Sequence, residues 1–372
     1  MKINFFSFDL APKELKIEWQ AVISDVLDAG QFIGGPEVSK FENEWSQYLG
    51  IKHAIGVGNG YDALVIALKT LDISPGDYVA VPSHTFIATW LAVAAVGAKP
   101  VGIDCDSSGL MDLDLLEKQV ISFSAVIPVH MHGQMVDMQR LTTWAHERKI
   151  KVIEDCAQAH GAELYGKKSG TWGDMGAFSF YPTKNLGAIG DAGALVTAND
   201  AHAERARSIA NYGSIINNKY EYQYLGINSR LDPIQAAILR VNLRYLDSWN
   251  EARKAVAKKY STGLSELGIK PFSTTPESVF HHYVAISENR IKTASLLKDR
   301  GIATEIHYPK SAENNYQIIK RVDVKRNSPK ANELAGKTIS LPMSPWITDL
   351  EINYVLDQIS LDSIRRSFLG EM

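Results

Sequence analysis

Apolar residues follow two rhythms along this chain. From residue 12 to 48 they recur at helical spacing, and Ala29-Gly-Gln-Phe-Ile-Gly-Gly-Pro36 divides the stretch into two helices. Pro36 opens the second, with Val38, Phe41 and Trp45 on one face; the turn beside Phe32 reads as a connector. From residue 54 the pattern changes to short apolar runs separated by glycine turns and helices. Ala54 to Val57 predicts a strand, Gly58-Asn-Gly60 a turn, and Asp62 to Leu68 a helix apolar nearly all round, hence buried. Further strands are predicted at Tyr78–Val81, Pro100–Ile103, Ala125–Val129, Lys151–Glu154, Ala177–Phe180 and Ala194–Thr197. Strands that alternate with helices imply an α/β unit with a mostly parallel sheet covered on both faces.

After about residue 200 the strand signals stop. Asp232 and Pro233 read as the cap and first position of a helix. Ile234, Ile238, Val241 and Tyr245 line its face as it continues past Trp249 towards Tyr260. Beyond it the pattern predicts a smaller α+β unit, with strands at His281–Ser287, Ile302–Tyr308 and Thr338–Leu341, a helix at Ile291–Arg300 and a final helix after Thr348. The expected division is therefore 1–249 and 250–372, joined by a long helix rather than a flexible linker.

Composition adds mainly exclusions. A 372-residue chain that is 45% hydrophobic and 22% charged has ample core, and a net charge of −3 gives no case for nucleic acid or an anionic membrane. Cys105 and Cys156 form no CxxC, so neither a disulfide framework nor a zinc knuckle is suggested, and reduced thiols fit a cytoplasmic protein. The N-terminus meets Asp9 too early for a signal peptide. The longest apolar run, Ile87–Val96, is too short to span a bilayer.

Three stretches carry candidate chemistry. Gly58-Asn-Gly60-Tyr-Asp62 combines glycines with a helix N-terminus, a setting for a phosphate as well as a common strand-to-helix turn. Tyr61 breaks the G-x-G-x-x-G spacing, and Lys168 stands where a Walker loop from Gly161 needs Ser or Thr, so the nucleotide-binding loops are not met. Asp155 ends a predicted buried strand, where it can hold a proton on a ligand nitrogen or cap the next helix. Asp155, Cys156 and His160, with His130 and His132, could be drawn as a metal site, but that reading has no use for Lys184 and no metal is expected. In Gly176-Ala-Phe-Ser-Phe-Tyr-Pro-Thr-Lys-Asn-Leu-Gly187, a single lysine follows an apolar aromatic run. Burial there would lower its pKa and make it a nucleophile.

A nucleophilic lysine, a phosphate turn and an acid at a strand end are together the needs of pyridoxal 5′-phosphate. The chain resembles the DegT/DnrJ/EryC1/StrS sugar aminotransferases, vitamin B6 enzymes of the aspartate aminotransferase fold. The anchors are Gly58–Leu64, Pro82–Ala88, Glu154–Gly161, Ser179–Gly187 and Asn228–Asp232. The resemblance implies a large domain with a mostly parallel seven-stranded mixed sheet plus a smaller C-terminal α+β domain. It implies Lys184 as the Schiff-base lysine, Asp155 on the pyridine nitrogen, Gln158 by the phenolic oxygen and Phe86 stacked on the ring. The phosphate would meet Ser179, the backbone of Gly60, Tyr61 and Asp62, and Asn228 from a neighbouring subunit, which requires a homodimer with shared sites. Relatives that carry histidine at the lysine position are dehydratases; lysine here implies transamination from glutamate.

Gly34-Gly-Pro-Glu-Val38, Asn228-Ser-Arg230 and Ile306-His-Tyr-Pro309 look most like the branch acting at C3 of dTDP-linked 3-keto-6-deoxyhexoses, for O-antigen, lipopolysaccharide or glycoside biosynthesis. His160, His307 and Tyr308 are the candidate substrate contacts. The competing expectations are amination at C4 of a UDP- or GDP-linked sugar and, more remotely, a non-catalytic regulator.

Overall fold

The computed structural model describes residues 1–215, 218–315 and 328–371. Seven strands form the central sheet: β1 (His53–Val57), β2 (Tyr78–Pro82), β3 (Lys99–Ile103), β4 (Ala125–Val126), β5 (Lys151–Asp155), β6 (Met175–Ser179) and β7 (Gly193–Thr197). Their spatial order is β1-β7-β6-β5-β4-β2-β3. Four of the pairings are parallel, and β7 runs antiparallel to both of its neighbours. Six strands therefore point the same way, and their C-terminal ends share one edge with the start of β7.

The apolar runs are buried on both faces, as parallel strands require. Val79, Val81, Ile153 and Leu195 pack into a cluster with the helix Gly60–Thr70, while Ala80, Val126 and Val152 face another cluster containing Leu141 and Trp144. Phe178, Ala194 and Val196 meet Phe41 and Trp45 of the helix Pro36–Leu49. Leu64, Val65, Ile66 and Leu68 of the central helix are all buried, each worth about 1.5–3 kcal/mol relative to exposure.

All seven sheet strands lie within two residues of their expected starts. The fourth ends early: Pro128 has no N–H to donate, and the chain continues only as a bridge from Val129 to Asp155. The single long helix expected from 232 is two, Pro233–Leu243 and Leu246–Glu266, because Arg244 and Tyr245 bond back to Val241 and Asn242 and tighten the backbone. Asp232 occupies the N-cap position without a capping bond from its side chain. Strands also resume after residue 200, as the hairpin Ser214–Ile215 with Asn218–Tyr222.

In the C-terminal part, Tyr283–Ile286 pairs antiparallel with Thr338–Leu341 beside the helix Arg290–Asp299. Residues 302 to 308 do not form the expected strand. Ile302 bridges to Ile3 and Glu305 to Ser340, so two partners share a segment that neither extends into a ladder. The final helix is also two, Asp349–Ser360 and Asp362–Leu369, the first opened by a Thr348/Glu351 capping box. Ile3 joins the C-terminal cluster of Tyr260, Ile339 and Phe368, carrying the first residues onto the far part of the chain. No helix among the described residues is long and apolar enough to cross a membrane.

Candidate active site

The strand ends converge on a cavity of about 360 Å³. One corner is the turn after β1. Asn59 caps the helix Gly60–Thr70 by accepting from Asp62 N–H at 2.8 Å, leaving the N–H groups of Gly60 and Tyr61 without a protein acceptor among the described residues. Gly60 is required by close approach: a Cβ there would lie 2.6 Å from Ser179 Cβ. Gly193 is just as tight, since its Cβ would meet the Asn59 carbonyl carbon at 2.4 Å. The strand register, with Ser179 opposite Gly193, thus places the serine beside two free N–H groups at the positive end of a helix.

Asp155 ends β5, one strand over, with Ala177 as its register partner. It is 6% exposed. Oδ2 accepts from Thr89 Oγ1 at 2.9 Å and Oδ1 from Ala157 N–H at 3.2 Å. Burial raises its pKa, opposed by those two bonds and by the charge of Lys184. A cationic ring nitrogen before this carboxylate would favour its ionised form.

The preceding Glu154 serves the scaffold. Its oxygens accept from the N–H groups of Gly170, Trp172 and Gly173 at 2.9, 2.6 and 2.9 Å, and from His130 Nε2 at 3.1 Å. The imidazole is the donor, because its Nδ1 accepts from Val136 N–H. His130, Glu154 and Cys156 lie close enough to share an ion. Four donors already fill the carboxylate, however, and burial keeps the thiol protonated, so the group does not fit a metal.

Lys184 stands on the loop from β6 to β7. That loop is closed by Phe180 N–H to Ala192 O and Ala188 N–H to Phe180 O, both 2.8 Å, and Lys184 N–H donates to Tyr181 O at 2.8 Å. Lys184 lines the cavity, and its Nζ has no hydrogen-bond or ion-pair partner among the described residues. Burial lowers its pKa to about 8 against the opposing pull of Asp155.

The opposite wall is neutral. Gln158, 3% exposed, accepts from His132 N–H at 2.7 Å and donates to Tyr308 OH at 3.1 Å, which fixes its amide orientation. Tyr308 faces Phe86 at 5.4 Å between ring centroids. His307 stacks on His282 at 3.7 Å and shares a hydrogen bond with Ser340 Oγ, and burial lowers its pKa to about 4. His281 donates from Nδ1 to Asn185 Oδ1, since the Asn185 amide nitrogen is engaged by Asn250 and Val279 O. Burial also holds His281 and His282 neutral near pH 7.

Residues 13–360 match the DegT/DnrJ/EryC1/StrS aminotransferase family. The chain belongs to that family. It is 41% identical over 363 residues to a dTDP-3-amino-3,4,6-trideoxy-α-D-glucose transaminase of Streptomyces venezuelae, covering 96% of this chain and 95% of the relative. It is 39% identical to a dTDP-3-amino-3,6-dideoxy-α-D-galactopyranose transaminase of Aneurinibacillus thermoaerophilus, covering 92% and 94%. Among solved structures, S. venezuelae DesV in complex with a ketimine intermediate superposes with a TM-score of 0.92 at 41% identity, covering 97% of this chain and 98% of that one.

The DegT/DnrJ/EryC1/StrS enzymes work with pyridoxal 5′-phosphate, and the residues here fit it. The cavity offers an anion corner at Gly60, Tyr61 and Ser179, a carboxylate at Asp155, an amide donor at Gln158 and a nucleophilic amine at Lys184. Phe86, His307 and Tyr308 also line it.

Three expected residues stand elsewhere. Asp62 N–H is taken by Asn59, and its carboxylate accepts from Ser229 Oγ at 2.7 Å, so it braces the turn instead of facing the cavity. Asn228 is exposed and outside the cavity of its own chain. His160 is corrected from a substrate contact to a scaffold residue: it is 0% exposed, with its ring 5.6 Å from those of both Phe178 and Phe180.

Sequence reading missed Thr85, Thr89, Asp191, His281 and His282 as cavity residues. Thr89 had a signal, a lone hydroxyl within the apolar run Ile87–Val96, and the two histidines had another, an imidazole pair opening an apolar stretch.

Proposed function

We propose that this protein transfers the amino group of glutamate to C3 of a dTDP-linked 3-keto-6-deoxyhexose. The product is a dTDP-3-amino-3,6-dideoxyhexose. The observation that carries the chemistry is the amine of Lys184, shifted to about 8, sharing one cavity with Asp155 and the N-terminus of the helix Gly60–Thr70. The names of the two relatives, both amino-transferring enzymes for C3 of a dTDP sugar, support the acceptor.

When bound, pyridoxal phosphate supplies an aldehyde that carries the amino group and a ring that draws off the electron pair of a broken C–H bond. The protein does the rest. Gly60 and Tyr61 N–H and Ser179 Oγ would bind the phosphate, Asp155 would hold a proton on the ring nitrogen, Gln158 would donate to the phenolic oxygen and Phe86 would cover the ring. Lys184 Nζ would hold the aldehyde carbon and, as a free amine, would take up and return the proton of the donor's α-carbon. His307 and Tyr308 contact the sugar nucleotide. Their neutral wall excludes water without repelling a keto sugar.

The proposal includes a cytoplasmic homodimer in which Asn228 reaches the phosphate of the neighbouring site, and a division near residue 249 into a cofactor domain and a smaller α+β domain. The exposure of Asn228 supports the first and the separate C-terminal hydrophobic cluster the second. Surface polysaccharide or glycoside assembly is the proposed destination of the product. Incubation with glutamate and dTDP-, UDP- or GDP-linked keto sugars, with NMR analysis of the products, tests the assignment. An amine at C3 of the dTDP sugar is expected; an amine at C4 overturns it.

A further inference from the structure

Thr89 sits on the first turn of the helix Ile87–Ala95, an element otherwise composed of Ile, Ala, Trp, Leu and Val. It is 1% exposed, and its hydroxyl lies 2.9 Å from Asp155 Oδ2 and 3.1 Å from Thr85 Oγ1. A hydroxyl has one proton. A carboxylate can only accept it, so Thr89 donates to Asp155 and Thr85 donates to Thr89, giving a directed chain that ends on one oxygen. Ala157 N–H holds the other oxygen, so both are constrained from the protein side.

We infer that Thr89 is a positioning residue for the ring-nitrogen chemistry: it fixes the orientation of the Asp155 carboxylate and keeps it ionised, with Thr85 setting the direction of the Thr89 proton. This rests on the reading of Asp155 as the partner of the cofactor's pyridine nitrogen. The physical case is that a buried carboxylate without donors favours its neutral form, which cannot hold a ring proton. The charged and titratable groups around Asp155 are Lys184, His130, Tyr308 and Cys156. Of the first two, Lys184 becomes covalently engaged with the cofactor aldehyde, and His130 is turned to Glu154 by its Nε2 proton. That leaves hydroxyl and backbone donation as the constant influence on the carboxylate. Loss of one such bond is expected to raise the Asp155 pKa by about one unit, a tenfold change in its ionisation equilibrium.

The experiment loads the holoenzyme with 15N-labelled pyridoxal phosphate and follows the ring-nitrogen resonance from pH 6 to 9, alongside cofactor affinity by equilibrium dialysis. Wild type and Thr89→Ser should keep the nitrogen protonated across the range. Thr89→Val should lose the proton within it, bind cofactor about tenfold more weakly and show a lower kcat with KM for glutamate changed less than threefold. If that variant does not fold, Thr89→Ala serves in its place, with the same expected loss. A protonated signal in Thr89→Val or Thr89→Ala indistinguishable from wild type overturns the inference. Asp155→Ala separates the two readings. If it loses the ring proton while the Thr89 variant keeps it, the role of Thr89 alone fails; if it too keeps the proton, the reading of Asp155 fails and the inference falls with it.

Discussion

The two walls of the cavity are built from opposite electrostatic materials. The sheet-edge wall presents Asp155, Lys184 and a helix N-terminus, each held by main-chain register within a few residues of a strand end. The wall from the later chain presents His281, His282, His307 and Tyr308, all uncharged through burial. The first can bind an anion, hold a proton and form a covalent bond. The second can only shape, stack and exchange neutral hydrogen bonds. The difference teaches that chemistry and selectivity are separable here, so substitutions on one wall should leave the function of the other largely intact.

The largest test of that separation is Lys184→Ala. Transamination should fall by about 10⁴-fold or more, with the sugar nucleotide still bound, as measured by single-turnover kinetics and calorimetry. Asp155→Asn comes next. It keeps the shape but removes the charge, and kcat should drop by roughly 10²–10³-fold with little change in KM for the sugar. Gly60→Ala forces a methyl against Ser179 Cβ and should weaken cofactor binding by about tenfold, read by titration of the visible absorption band.

His307→Ala, on the other wall, should raise KM for the sugar nucleotide by about tenfold or less while cofactor affinity stays constant; a change in cofactor affinity instead would break the comparison.

A pH experiment sharpens the contrast without mutation. The amine of Lys184 is reactive when unprotonated, and its pKa is about 8. The rate at which apoenzyme captures pyridoxal phosphate, followed by absorbance, should therefore rise through pH 8 and level off above it. His307, near 4, should add no inflection between pH 6 and 7.5.

The same contrast explains what could be read from sequence. Sheet-edge residues are set by local rules: an apolar run ends, a glycine admits a turn, and a polar residue must face outward at the strand end. Gly60, Asp155 and Lys184 were legible because each sits within such a pattern, whereas Ser179 came only from the family resemblance. The histidine wall depends on contacts between distant segments, such as His132 with His282 and Gln158 with Tyr308, which no local spacing encodes. Ile302–Tyr308 looked like a strand because Ile302, Ile306 and Tyr308 fall an even number of positions apart, yet its neighbours offered one bridge at a time. The break at Arg244–Tyr245 was hidden because helical periodicity continues across it. The strand pair Ser214–Ile215 and Asn218–Tyr222 was hidden for the opposite reason, since Asn218, Tyr220, Glu221 and Tyr222 are exposed and the second strand carries no buried apolar run.

The reversed direction of β7 has a consequence for how this site can diversify. Because β7 returns beside β6, the segment carrying Lys184 leaves and re-enters the sheet at the same place, and its closing bonds are made by the backbone of Phe180, Ala188 and Ala192. The hydrogen bond at position 184 is also a backbone bond, so the loop does not depend on what the side chain is. Position 184 is in effect an interchangeable tool head on a fixed mount. A change of side chain there should leave the loop, the corner at Gly60 and Ser179 and the opposing wall in shape.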